Sequence, residues 1–345
     1  MKIYEITIKP QSGFGTPLKG DTLFGQFCWQ IVYDSKLANK PLDSLISSYN
    51  SNPFIIFSSV YPKLKKNNKH YFAFRTPSLP IDELFNLPSD VKEKIRKRKE
   101  YKSKEWMLIQ EGQNINSFKE VEFLNDGELI DTINANKDEK IAKEISNVKF
   151  KRFYVPFSQS HNKINRLTNT TGEEGFAPFV VEQNVFCPLA ELVLFVGFDE
   201  TSLNIEQIMT GLERIGILGF GKDASTGLGK FSLVGYKETD LLKIKNDTHN
   251  ACYTLSPCVP NKDVFAEMFF TPITRFGKHG DIFAKSGNPF KNPVIMADEG
   301  AIFKLKNKEI FNKPYIGTAL SGLSKIEPKT VIQGYSLYIP VEVTV

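Results

Sequence analysis

Cysteine and histidine are scarce in this chain of 345 residues, at four of each. Cys28, Cys187, Cys252 and Cys258 form no CxxC pair, and with so few histidines to complement them a structural zinc site is not expected. Cys28, on an apolar helix face, and Cys187, at the end of an apolar strand, read as buried thiols. No run of about 18 apolar residues is available to cross a bilayer. Met1 leads straight into an alternating strand without the pattern of a signal peptide, so a cytoplasmic location is expected. Polymerase-type paired aspartates, a clustered His-Asp pair and a cofactor fingerprint are also missing, and no cofactor or metal is expected.

One glycine-rich stretch comes close to a nucleotide loop without being one. Residues 219–231 read GFGKDASTGLGKF, with Lys222 after Gly221 but Asp223 where Ser or Thr would be needed. The order around it is also reversed. Upstream, Ile205, Ile208, Met209, Leu212, Ile215 and Leu218 recur at helical spacing, and downstream Lys230 to Tyr236 reads as a strand. Two readings stand for this helix-loop-strand. Gly221, Lys222, Ser225, Thr226 and Gly227 could cradle phosphate oxygens through backbone N–H groups and side-chain donors, or the glycines could serve only a tight turn.

What is abundant fits a soluble globular protein: 41% hydrophobic residues, 24% charged residues and a net charge of +5. The length suggests two domains, and the charge permits a nucleic-acid partner without requiring one. Lys2 to Lys9 is the first expected strand, and Gly20-Asp21-Thr22 opens a helix to about Tyr33, with Asp21 as its N-cap and Lys19 beside it. That helix start is either an anion site or an ordinary capped end. Phe54 to Val60 and His70 to Phe74 are read as strands around the basic turn 61–69. Ser89 to Leu108 is read as a charged helix whose lysines form a solvated face more readily than a binding face. Asn125 to Asn147 is polar and weakly periodic, as in a projecting insertion.

The stretch 149–172, KFKRFYVPFSQSHNKINRLTNTTG, carries Ser158, Ser160, His161, Asn162, Lys163, Asn165, Arg166 and four further Thr or Asn residues with hardly an acid among them. Such donors suit phosphates, riboses and base edges of single-stranded RNA. They equally suit a loop that caps its own backbone. Phe179 to Cys187 and Leu192 to Phe198 are then read as a hairpin around Cys187-Pro188-Leu189. The resulting β-α-β-β-α-β order is the ferredoxin-like arrangement, an α+β fold whose sheet serves as a platform in RNA-recognition modules. After the lysine-rich connection 237–250, strands are expected at 251–255, 264–270, 293–296, 300–305 and 335–345, with a short glycine turn at 317–322. This second half is read as a degenerate copy of the first.

Three places, FGTPLKGDTLFGQFCW at 14–29, HNKINRLTNTTGE at 161–173 and the 219–231 loop, together resemble the CRISPR RAMP proteins. The resemblance is to the subunit family that caps the 5′ end of the guide RNA in type III-A Csm complexes. It covers the N-terminal two-thirds, and beyond Tyr236 it is general. It implies two ferredoxin-like (RRM-like) domains, at 1–240 and 241–345, with a thumb inserted within 87–147. It also implies recognition of the repeat-derived 5′ tag of guide RNA, with the large polymerase-like subunit and a backbone RAMP subunit as partners in antiviral defence. Carried over, Lys19, Gly20, Asp21, Thr22, His161, Asn162, Asn165, Arg166, Gly221, Lys222, Ser225, Thr226 and Gly227 become the candidate RNA contacts of a non-catalytic subunit. The alternative is a metal-independent endoribonuclease of repeat RNA, with His161 as general base.

Overall fold

The computed structural model describes residues 1–135, 150–172, 175–188, 190–240 and 247–345. Strand β1 (Lys2–Pro10) leads into helix α1 (Gly20–Tyr33), helix α2 (Leu42–Ser48), and strands β2 (Ile55–Lys66) and β3 (Lys69–Arg75). Helices α3 (Ile81–Leu84) and α4 (Val91–Lys102) precede β4 (Trp106–Gln110), β5 (Glu122–Leu124) and α5 (Asp126–Ala135). Then come β6 (Tyr154–His161), β7 (Phe179–Phe186), β8 (Glu191–Phe198), α6 (Ile205–Leu218) and β9 (Phe231–Glu238). The remainder holds β10 (Ala251–Thr254), β11 (Phe265–Phe269), β12 (Pro272–Arg275), β13 (Val294–Ala297), β14 (Ile302–Leu305), β15 (Tyr315–Gly317) and β16 (Tyr335–Val341). No described helix is long and apolar enough to cross a membrane.

The main sheet has the order β5-β4-β3-β2-β8-β1-β9, and its paired strands run antiparallel. Helices α1 and α6 lie on one face, where Phe27 meets Phe57 edge-on at 5.5 Å. A capping box fixes the start of α6: Asn204 accepts from the Gln207 N–H, and Gln207 accepts from the Asn204 N–H, each at 2.9 Å. The second sheet, β11-β14-β10-β16-β15, covers the opposite face. Phe72, Phe74 and Phe195 are fully buried there, and Phe74 packs on Tyr253 at 6.1 Å. A register shift between Phe57 and Val60 frees the Phe57 peptide groups, and the Gln333 side chain satisfies both, accepting at 2.9 Å and donating at 2.8 Å. The face that would offer an open platform for bases is therefore core between the two sheets.

Several expectations need correction. Residues 61–66 belong to β2, and the turn shrinks to Asn67-Asn68, whose φ values of 50° and 61° suit a two-residue hairpin. The charged helix ends at Lys102; Trp106 to Leu108 enters the sheet as β4, opposite β3. Asp21 is not the N-cap. Lys19 holds that position, and Asp21 sits in the first turn without a capping bond. The expected hairpin of β7 with β8 does not form, since β7 pairs with β6 while β8 inserts between β2 and β1. Burial decides this: seven of the eight β8 residues are buried, as a central strand requires, whereas β7 is half exposed.

Nor does the start of the polar insertion project. Within 125–135, Leu129 and Ile130 of α5 are buried in the core. Residues 136–147 of that expected insertion lie outside the described residues. Cys187 is buried as expected, and Cys28 is half-buried.

Candidate nucleic-acid interface

The element that projects is the β6-β7 ribbon. Its base is fixed by aromatic packing: Phe186 on Phe14 at 5.3 Å, Phe153 on Trp106 at 5.6 Å, and the Tyr154 hydroxyl accepting from Arg75 at 3.0 Å. Asn184 on β7 exchanges backbone hydrogen bonds with Phe14, both at 2.9 Å. Five residues separate Asn184 from Phe179 at the far end of β7, which carries the tip about 17 Å beyond that bridge.

At the tip, His161 stacks on Phe179 with ring centroids 5.5 Å apart and planes 16° apart. The Lys163 ammonium lies 5.8 Å from the same ring. Asn165 turns the chain: its side-chain oxygen accepts from the Leu167 N–H at 2.9 Å, and its backbone pairs with Thr170 and Asn169. Part of the polar stretch thus caps its own backbone. Asn162 and Arg166 point outward and are exposed, as is Leu167 at 94%. Ser158 to His161 lie within β6, so the polar segment begins as strand and becomes a loop only from Asn162.

The glycine loop is locked to the segment that follows β1. Gly229 donates to the Gly13 carbonyl at 2.7 Å, Lys222 N–H to the Thr16 hydroxyl at 2.8 Å, and Lys230 N–H to the Ser12 hydroxyl at 2.8 Å. Inside it, Ala224–Thr226 makes one tight helical turn between Asp223 and Gly227, both left-handed with φ of 60° and 100°. At Gly229 a Cβ would run into the Phe220 backbone, so glycine there serves the turn itself. At Gly227 the space where a side chain would stand is open. Lys222 is 61% exposed in its side chain and 3.8 Å from Asp223, while Ser225 is exposed and Thr226 donates back to the Asp223 carbonyl. Because segment 12–16 touches both the loop and Asn184, the glycine loop and the ribbon base form one continuous shelf.

The start of α1 is used differently. Lys19 forms an ion pair with Asp298 and another with Glu299, the latter at 3.0 Å. Asp21 accepts from Arg275 at 2.7 Å with its side chain 7% exposed. Gly20 is buried, and a Cβ there would run into the Phe57 carbonyl oxygen. The Thr22 N–H is taken by the Lys19 carbonyl at 3.1 Å. Lys19, Gly20 and Asp21 are thus engaged with Asp298, Glu299, Phe57 and Arg275, and the Thr22 N–H bonds within the helix start.

Burial raises the Glu299 carboxyl to about 6 against the pull of Lys19, with Asp298 adding to the rise. Burial also opposes ionisation of Asp298, but bonds from Glu299 and Lys19 outweigh it and leave that carboxyl below its usual value. Sequence reasoning missed Ser12, Thr16 and Asn184, which tie the shelf together. No local spacing signals them, since their partners lie about 170 to 220 residues away.

No protein-family model and no curated protein gives a significant match to the chain. Solved structures do. A chain of the Csm3-Csm4 subcomplex of the type III-A CRISPR-Cas interference complex aligns with a TM-score of 0.52 at 17% identity, covering 99% of both chains. A chain of the Csm1-Csm4 cassette in complex with cA4 aligns at 0.51 and 14% identity, and one from the cassette with cA3 at 0.50 and 13%, each covering 100% of both chains. Along its whole length, this chain has the fold found in those type III-A CRISPR Csm structures.

Proposed function

We propose that this chain is a Csm4-type RAMP subunit of a type III-A Csm complex, binding guide RNA at its 5′ tag in the cytoplasm. The observation that carries the reading is the continuous shelf of glycine loop, segment 12–16 and ribbon base, with Lys222 and Ser225 exposed on the loop and Asn162 and Arg166 exposed at the ribbon tip. The partners inferred are a Csm1-like large subunit and a Csm3-like backbone subunit, the companions named in the similar structures.

We read the chain as two ferredoxin-like units. In the first, the four strands of the β-α-β-β-α-β order stand as β2-β8-β1-β9, that is second, third, first, fourth. In the second, β11-β14-β10-β16 repeats that order, with β10, β11, β14 and β16 taken as strands one to four. Among its described residues the second unit has no α-helix after β10, and after β14 only the short 3₁₀ turn Lys308–Asn312 where a helix would stand, which supports a degenerate copy. The projecting thumb is best matched by the β6-β7 ribbon.

The subunit is inferred to be non-catalytic. His161 is stacked on Phe179 with cationic Lys163 at the same ring, an arrangement that suits base stacking more than proton abstraction. Purified protein is titrated with labelled guide RNA carrying or lacking the tag across a salt series, and the RNA is then run on a gel. Tag-dependent binding of intact RNA is expected. Tag-independent binding that vanishes with salt would refute tag recognition by the chain alone, and cleavage abolished in His161→Ala would establish the nuclease instead.

A further inference from the structure

Helix α4 and the turn of α3 enclose a cleft of about 470 Å³ lined by Pro80, Ile81, Asp82, Ile95, Arg98, Lys99 and Lys102. Its floor is aliphatic and its rim is basic. Along α4, Val91, Ile95, Arg98 and Lys102 recur at intervals of four, three and four, which puts them on one stripe. No residue of α4 is buried, and Val91 and Ile95 are 69% and 55% exposed. A helix kept only for solubility has no need of isoleucine and valine on its outer stripe.

The helix is nevertheless held firmly. Tyr101 stacks on Phe85 with centroids 4.0 Å apart and planes 5° apart, Arg98 pairs with Asp82 at 2.9 Å, and Asp90 caps the first turn through the Glu93 N–H at 2.8 Å. The cleft is thus preformed. Of its basic residues, Arg96, Lys97 and Arg98 pair with acids, while Lys92, Lys94, Lys99 and Lys102 form no ion pair with any described carboxylate. It also stands apart from the glycine loop of the proposed RNA shelf. Phe85 packs on Phe123 of β5 at 4.8 Å, and β5 and β9 are the two opposite edges of the main sheet, about 29 Å apart at the usual strand spacing.

We propose that this cleft docks an acidic peptide segment of a partner protein, with an aliphatic side chain seated between Ile81 and Ile95 and carboxylates against Lys99 and Lys102. Charge complementarity selects an anionic occupant. The floor selects peptide over RNA, because bases stack on flat aromatic faces and the one nearby ring of α4, Tyr101, is already covered by Phe85. An aliphatic anchor in an apolar notch with a charged rim is the usual layout of a peptide site.

The test uses the full chain, immobilised, and a random-peptide display library, followed by titration of the synthetic consensus peptide and of an oligouridylate. Enrichment of acidic sequences around a Leu, Ile or Met anchor is expected. Consensus affinity should fall about tenfold or more both in Ile95→Gln and in Lys99→Glu with Lys102→Glu, an effect of about 1.4 kcal/mol or more. Because these side chains are exposed, unchanged circular dichroism is expected in the variants. Absence of a consensus, or a consensus without acids, would overturn the proposal. So would oligouridylate binding that is lost in the charge-reversed variant and intact in Ile95→Gln, which would make α4 an electrostatic nucleic-acid face.

Discussion

Gly20 and Glu299 show how much of this molecule is decided by single atoms. With no side chain, Gly20 lets α1 lie against the Phe57 carbonyl, so Gly20→Ala forces helix and strand apart. A loss of about 1–3 kcal/mol is expected, as for overpacked cores, measured as a lowered urea midpoint. Glu299 acts through protonation. Its carboxyl titrates near 6 in the folded chain against an ordinary 4.5, so the folded state holds this proton more tightly than the unfolded state does. The contribution of Glu299 to stability is full below about pH 4.5 and declines as pH rises through 6. Glu299→Gln cannot ionise and escapes the decline. It should match the wild type near pH 4.5 and exceed it at pH 8. Equal destabilisation at both pH values would mean that the ionised pair with Lys19 is what stabilises the fold.

At the scale of elements, legibility followed locality. Helices α1 and α6 and strand β1 were readable because their apolar period is written into consecutive positions, as with Ile205, Ile208, Leu212 and Ile215, although the cap of α1 was not. The partner of β8 was not. Its pairing with β1 and β2 depends on both of its faces being buried, and the sequence alone offered the nearer strand β7 as an equal partner. The candidate site divided in the same way. Asn162, Arg166, Lys222, Ser225 and Thr226 are exposed, while Lys19, Asp21 and Gly20 are taken up by Asp298, Glu299, Arg275 and Phe57, contacts that no local pattern announces. The ribbon tip and the glycine loop should therefore respond separately from the α1 end. Lys222→Ala is expected to lower the salt slope of RNA binding by about 0.7, the share of one phosphate contact on a single strand, without changing the melting temperature. Combined replacement of Asn162, Asn165 and Arg166 by Ala should lower the affinity for tagged RNA and narrow its margin over untagged RNA.

For the whole molecule, the two sheets share one core. Phe74 and Phe195 of the first and Tyr253 and Leu337 of the second belong to the same buried cluster. A single cooperative thermal transition follows, and Tyr253→Ala should lower stability by roughly 3–5 kcal/mol, the range for large aromatic truncations. A fragment ending near residue 240 would expose Phe72, Phe74 and Phe195 and is expected to aggregate. The same packing closes the sheet face as a platform, which is why the proposed RNA surface consists of the loops at its edge. The most direct measurement is photo-cross-linking of a guide RNA with thiouridine substituted through its tag, bound to the full chain or its complex, followed by peptide identification. Cross-links are expected within 157–172 and 219–230. Cross-links confined to the start of α1 or to the C-terminal sheet would contradict the shelf as the tag-binding surface.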